Sequence, residues 1–165
     1  MSRFRVAILT VSDRSAQGVR EDTSGKMIEA LVTAKLDAEV VAYQVVPDEQ
    51  AHIAAVLQVW ADDRVADLIL TTGGTGLAPR DVTPEATRSV IEREVPGIPE
   101  AMRAASLAVT PFAMLSRMVA GTRGQTLIIN LPGSPKGVRE NLLVVLPALA
   151  HGLDKLLGDP EDCAP

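Results

Sequence analysis

The chain has few of the side chains that build metal cages or nucleophilic triads. Its one cysteine, Cys163, stands in an Asp/Pro-rich C-terminal stretch, so an internal disulfide is excluded. A reducing compartment, the cytoplasm, is the expectation. A thiol near a chain end also lacks the fixed surroundings that create a reactive thiolate. Two histidines, His52 and His151, have no second His or Cys at ligand spacing, which leaves a zinc site or a Ser–His nucleophile without support. No apolar run approaches the roughly 18 residues of a membrane span, and the run beginning at Val6 is too short for a secretion signal. Positive charge is scarce as well: 16 Lys and Arg against 21 Asp and Glu leave a net charge of -5. That argues against a general nucleic-acid surface. A polyanionic ligand would need local donors, a few cations and a metal ion.

What is present is an ordinary globular mixture, 47% hydrophobic and 22% charged over 165 residues. This suits one domain, residues 1–158, with a flexible tail at 159–165. Apolar periodicity predicts strands at 5–11, 39–46 and 67–71 and helices at 24–36 and 49–62, the first helix capped by Thr23 or Ser24. Further helices are expected at 84–94 and 100–109, with a Pro96–Pro99 turn between them. A hairpin of 118–121 and 126–130 turns at Arg123-Gly124, and a last helix runs to about 157 with Pro147 inside it. Alternating strands and helices imply a three-layer α/β/α sandwich. Its sheet is mainly parallel, with one antiparallel margin strand.

Three strands end near Ser12, Thr72 and Asn130, at the edge where open α/β sheets bind ligands. The central one runs into Thr71-Thr72-Gly73-Gly74-Thr75-Gly76, then Arg80-Asp81 and a helix start at Thr83-Pro84-Glu85. Strand, glycine loop and helix N-terminus together offer backbone N–H groups to a phosphate. The lysine and glycine spacing of a P-loop are missing. Asp48 and Asp81 each follow a strand end and suit Mg²⁺, although on local pattern Asp48 reads first as a cap of the next helix. Asp13 reads as either a turn residue or a ligand contact. Leu131-Pro132-Gly133-Ser134-Pro135-Lys136 is a second anion-site candidate, with Ser134 as N-cap and Pro135 at the first helical position. Ser116-Arg117 could add a hydroxyl and a guanidinium.

Taken in order, Val11-Ser12-Asp13-Arg14, Pro47-Asp48-Glu49, TTGGTGLAPRDVTPEAT at 71–87, Pro96-Gly97 with Glu100-Ala101-Met102-Arg103, Leu115-Ser116-Arg117 and Asn130 to Lys136 resemble the MogA/MoaB family of molybdenum-cofactor biosynthesis. The G domain of gephyrin shares this pattern. The resemblance spans about residues 4–157 and implies a molybdopterin-binding fold, usually trimeric. It also implies a molybdopterin adenylyltransferase, which joins AMP from ATP to molybdopterin with Mg²⁺ and releases pyrophosphate.

On the resemblance, the two essential aspartates, and the metal ligands, fall on Asp48 and Asp81. Pterin and phosphate contacts fall on Gly73, Gly74, Thr75, Gly76, Ser116, Asn130, Pro132, Gly133 and Ser134, and the strand-end residues Ser12, Asp13 and Thr72 are added as substrate-contact candidates. Arg14, Arg80 and Lys136 are candidate screening cations. A molybdate-inserting enzyme would be the downstream partner. The alternative is a binding-only carrier: some MoaB-type members lack the activity, and in those the segment after the glycine loop departs from Arg-Asp-Val-Thr-Pro-Glu. This chain retains that segment at 80–85.

Overall fold

Alternating side chains give the central strands two buried faces. The computed structural model describes residues 3–161, so Cys163 and most of the expected tail lie outside the described residues. In β1 (Phe4–Val11), Phe4, Val6 and Ile8 enter one apolar cluster, while Ala7, Leu9 and Val11 enter another. β3 (Leu68–Thr72) and β6 (Thr126–Leu131) divide in the same way, with Leu68, Leu70, Leu127 and Ile129 on one side and Ile69 and Ile128 on the other. Each fully buried side chain of this size contributes about 1.5–3 kcal/mol. Apolar stripes of α2 (Thr23–Lys35), α5 (Gly97–Leu107) and α6 (Pro135–Leu157) close the first face. Those of α3 (Gln50–Asp62) and α4 (Thr83–Val90) close the second. The result is the expected three-layer α/β/α sandwich.

β2 (Ala38–Val46), β4 (Arg93–Glu94) and β5 (Ala120–Arg123) complete a six-stranded sheet of order β2-β1-β3-β6-β5-β4. The first four strands are parallel, β5 is antiparallel to β6, and β4 is antiparallel to β5. The margin therefore holds one strand more than the hairpin predicts. The chain leaves β1 toward β2 on one side and leaves β3 toward β4, at the opposite margin, on the other. Such a divergence opens a crevice at the C-terminal ends of β1 and β3.

Several local expectations change. The helix expected at 84–94 ends at Val90, because Ile91 is extended (ψ 147°) and Arg93 and Glu94 pair with Thr122 and Gly121. The Pro96–Pro99 turn is the start of α5. The cap of α2 is Asp22, whose carboxylate accepts from Gly25 N at 2.9 Å; Ser24 instead donates to the Gly133 carbonyl at 2.6 Å. A short α1 (Asp13–Ala16) follows β1, and a 3₁₀ turn (Pro111–Leu115) follows α5. α6 continues through Pro147 and ends at Gly158, whose φ of +98° is the left-handed stop that glycine permits. No helix among the described residues is long and apolar enough to cross a membrane.

Candidate active site

Four loops meet at the crevice, and their own hydrogen bonds set its shape. Gly73 and Gly74 adopt φ of +96° and +67°, which only glycine takes without strain. A methyl group on Gly73 would collide with the Val11 carbonyl, and one on Gly74 with Thr83 Oγ1. Thr83 opens α4 without capping it, since the N-cap is Val82 and no side chain caps that turn. It donates instead from Oγ1 to the Gly73 carbonyl at 2.9 Å and from its backbone to the Gly74 carbonyl at 3.1 Å. Gly73 N–H goes to the Leu131 carbonyl at 3.3 Å. Among the described residues, no acceptor takes the N–H of Gly74, Thr75 or Gly76. Three adjacent free donors on a glycine loop are a place for phosphate oxygens.

The carboxylates border this same loop. A Cβ on Gly74 would lie 3.3 Å from Asp48 Oδ1, and one on Gly76 would lie 2.9 Å from Asp81 Oδ2. Asp81 Oδ2 accepts from Ala78 N at 2.9 Å, which folds the Ala78–Asp81 turn back on itself. Asp48 does not cap α3, whose first turn has no side-chain cap; its Oδ2 accepts from Asp13 N at 2.8 Å. Asp13 replies by accepting from Asp48 N at 3.0 Å. Arg80 does not pair with its neighbour Asp81. Its Nε and Nη2 reach the two Asp13 oxygens at 2.6 and 2.9 Å. Electrostatics then separate the carboxylates. The Arg80 guanidinium, with the Asp48 N–H, holds Asp13 below the usual range. Burial pushes Asp48 up, and the nearby charges of Asp13 and Asp81 push the same way.

Asp48 and Asp81 share a crevice of about 380 Å³ with Ser12, Thr72, Gly73, Gly74, Gly133 and Ser134. A second cavity of about 500 Å³ opens beside it, lined by Thr75, Ser116, Pro132, Ser134, Lys136 and Phe112 among others. Ser134 belongs to both, so the glycine loop and the Pro132–Ser134 turn form their common wall. That turn is anchored at both ends: Thr72 Oγ1 donates to the Pro132 carbonyl at 2.6 Å, and Ser134 caps α6 by accepting from Gly137 N at 3.0 Å.

Three expected contacts, Asp13, Gly76 and Asn130, line neither cavity. Asp13 is committed to Arg80 and Asp48. Asn130 is fully buried: its Oδ1 accepts from Val119 N, and its Nδ2 donates to Thr71 and Thr87 hydroxyls. Of the candidate cations, Lys136 lines the larger cavity, whereas Arg14 and Arg80 line neither.

Sequence reasoning missed Arg20 and Asp22, which line the crevice. Asp22 is fixed by Thr10 Oγ1 at 2.7 Å, by Gly25 N and by the Tyr43 hydroxyl. Burial, then the Asp22 carboxylate, push the Tyr43 phenol upward. The signal for Asp22 was its cap spacing to Gly25; nothing local marks Arg20.

Residues 7–151 match the family model described as a probable molybdopterin binding domain. The chain is 46% identical over 160 residues to the molybdopterin adenylyltransferase of Helicobacter pylori strain J99, covering 96% of this chain and 91% of that protein. It is 47% identical over 169 residues to gephyrin of Dictyostelium discoideum, covering 97% of this chain but only 23% of the longer protein. Among solved structures, the molybdopterin biosynthesis enzyme MoaB from Thermus thermophilus superposes with a TM-score of 0.89 at 57% identity, covering 96% of this chain and 99% of that one. The chain with this paired crevice and cavity belongs to the molybdopterin-binding-domain family of MogA and MoaB.

Proposed function

We propose that this chain is a molybdopterin adenylyltransferase, transferring AMP from Mg-ATP to the terminal phosphate of molybdopterin and releasing pyrophosphate. The observation that carries this is the pair of carboxylates, Asp48 and Asp81, flanking one glycine loop in a crevice that shares a wall with a second cavity. A transfer between two bound substrates needs neighbouring sites, and Ser134 lines both of these. Relatives bearing this enzyme's name are 42–46% identical over most of the chain.

The donor set fits Mg²⁺. Among the described residues no cluster of three or more His, Cys, Asp or Glu forms a protein cage. Mg²⁺ typically takes one or two carboxylates and shares substrate phosphates. Asp48, crowded by Asp13 and Asp81, lacks a neutralising cation of its own. Asp48 and Asp81 would hold the ion, which supplies charge neutralisation at the phosphates. The free N–H groups of the glycine loop donate to phosphate oxygens, and Arg20 screens them from the crevice rim. Lys136, at the N-terminus of α6, receives the molybdopterin side. No general base is required, because a phosphate nucleophile is ionised near neutral pH. The rate then comes from positioning and charge.

On the family resemblance, we further take the chain to be a cytoplasmic homotrimer, a single domain over 1–158, whose product passes to a molybdate-inserting enzyme. The test is to incubate the protein with molybdopterin, Mg²⁺ and ATP and to measure pyrophosphate. Release in proportion to turnover is expected. Tight molybdopterin binding without pyrophosphate would replace the enzyme with a carrier.

A further inference from the structure

Thr75 and Ser116 line the larger cavity and Asp81 lines the crevice, and one residue, Arg117, ties these positions together through its backbone and its side chain. Arg117 N donates to the Thr75 carbonyl at 2.9 Å. Its Nε donates to the Gly76 carbonyl at 2.8 Å, its Nη2 to the Asp81 carbonyl at 2.6 Å, and its Nη1 to the Glu85 carboxylate. Between those grips, residues 77–80 are exposed. The limb that carries Asp81 therefore takes its course from Arg117, 36 residues further along the chain.

Only a guanidinium can do this. Its planar fork presents several donors in fixed directions, whereas a lysine ammonium at the same point would reach fewer of these acceptors. Glu85 is committed to the same contact: its other oxygen, Oε2, is buried with no partner. Burial pushes the Glu85 carboxyl up, but the Arg117 hydrogen bond and nearby charges outweigh it and leave the group below its usual range. Glu85 is therefore ionised at neutral pH.

We propose that Arg117 is a positioning residue for Asp81, gripping both limbs of the glycine loop so that the Asp81 carboxylate is held beside the phosphate site. This rests on the adenylyl-transfer assignment, and the experiment separates the two. In the full chain, with molybdopterin, Mg²⁺ and ATP, Arg117→Lys should lower kcat by about 10- to 100-fold, as a small displacement of a reacting group does. The KM for molybdopterin and Tm should stay close to wild type, and amide exchange at residues 76–82 should quicken. Glu85→Gln keeps the Nε and Nη2 bonds, so its kcat should stay within about twofold.

Wild-type kcat in Arg117→Lys overturns the proposal. So does a collapse of Tm in step with kcat, which would make Arg117 a residue of the fold alone. A loss in Glu85→Gln equal to that in Arg117→Lys overturns it too, by shifting the effect to the ion pair. If the wild-type protein releases no pyrophosphate, the transfer assignment fails by itself. Exchange at 76–82 then decides for Arg117: faster in Arg117→Lys supports the grip, unchanged overturns it.

Discussion

Asp13 and Asp48 hold each other by their backbones: each carboxylate accepts the N–H of the other residue, at 2.8 and 3.0 Å. This reciprocal pair joins the loop after β1 to the loop after β2. Arg80, bidentate on Asp13, adds the loop after β3. Two anions are held near one another by donors on each side, and Asp48 is the member without a cation. Asp48 makes no ion pair of its own, although the charge of Arg80 reaches it.

That imbalance predicts a pH-dependent gain when Asp48→Asn removes the charge. The folded state raises the Asp48 carboxyl through burial and the charges of Asp13 and Asp81. Between the unfolded value, about 3.9, and the raised folded value, the folded chain binds the extra proton. Stability from this group is therefore fully present below the unfolded value and is lost as pH rises through the folded one. Asparagine can still accept from Asp13 N while lacking the charge. At pH 7, Asp48→Asn should raise Tm, because the folded state no longer holds a charge that burial and its neighbours oppose, and lose turnover. The difference should close near pH 3. Mg²⁺ should raise Tm more in the wild type than in the variant. A lower Tm for Asp48→Asn at pH 7, read by calorimetry, would count against the charge argument.

Asp81→Asn isolates chemistry from fold. Its carboxylate accepts one bond, from Ala78 N, which an amide oxygen can keep. The Gly76 and Thr75 carbonyls stay under Arg117, so the loop should keep its course. Molybdopterin affinity and Tm should match wild type while pyrophosphate release falls at least about 10²-fold, the usual loss when one positioned charge leaves a transition state. Near-normal turnover would remove Asp81 from the metal site.

The parts of this site that the sequence makes legible are those carried by local pattern. The apolar runs of β1, β3 and β6 and the glycine loop are contiguous signals, and Ser134-Pro135 caps α6 as its spacing predicts. What stayed hidden depends on partners far along the chain. Arg93 and Glu94 have no apolar signature and form β4 only because β5 presents Gly121 and Thr122 to them. A side chain on Gly121 would press on the Arg93 carbonyl at 2.6 Å, so the pairing needs that glycine. Arg80 looks like half of a surface pair with Asp81, yet its partner is 67 residues away at Asp13. Arg117, an apparent ligand contact beside Ser116, spends its guanidinium inside the loop.

Gly74→Val tests whether the glycine loop is a site or a turn. Valine at φ +67° costs about 1–2 kcal/mol in backbone conformation alone, and its Cβ would meet Thr83 Oγ1 and approach Asp48 Oδ1 at 3.3 Å. Urea unfolding should show a loss of at least about 2 kcal/mol, with molybdopterin and Mg-ATP binding both weakened. Gly133→Ala is the contrast, since its Cβ would make an ordinary 3.4 Å contact with Gly73 Cα. It should change stability by less than about 1 kcal/mol. Unchanged ligand affinity in a folded Gly74→Val would leave the loop as a turn and nothing more.

Asn130 separates contact from support. Its amide joins Val119 N at 3.1 Å, Thr71 Oγ1 at 3.0 Å and Thr87 Oγ1 at 2.9 Å, all in the interior. Asn130→Leu keeps the branched shape but leaves these groups without their partner, at about 1–3 kcal/mol for each buried group left unsatisfied. Tm should fall by at least about 6 °C. Asn130→Asp sharpens the point, because a carboxyl buried there gains a raised folded pKa. By the same sign rule as for Asp48, its stability should be higher at pH 5 than at pH 7. In the fraction still folded, molybdopterin affinity should stay near wild type for both variants, since Asn130 lines neither cavity. A loss of affinity with Tm unchanged would restore Asn130 as a direct contact.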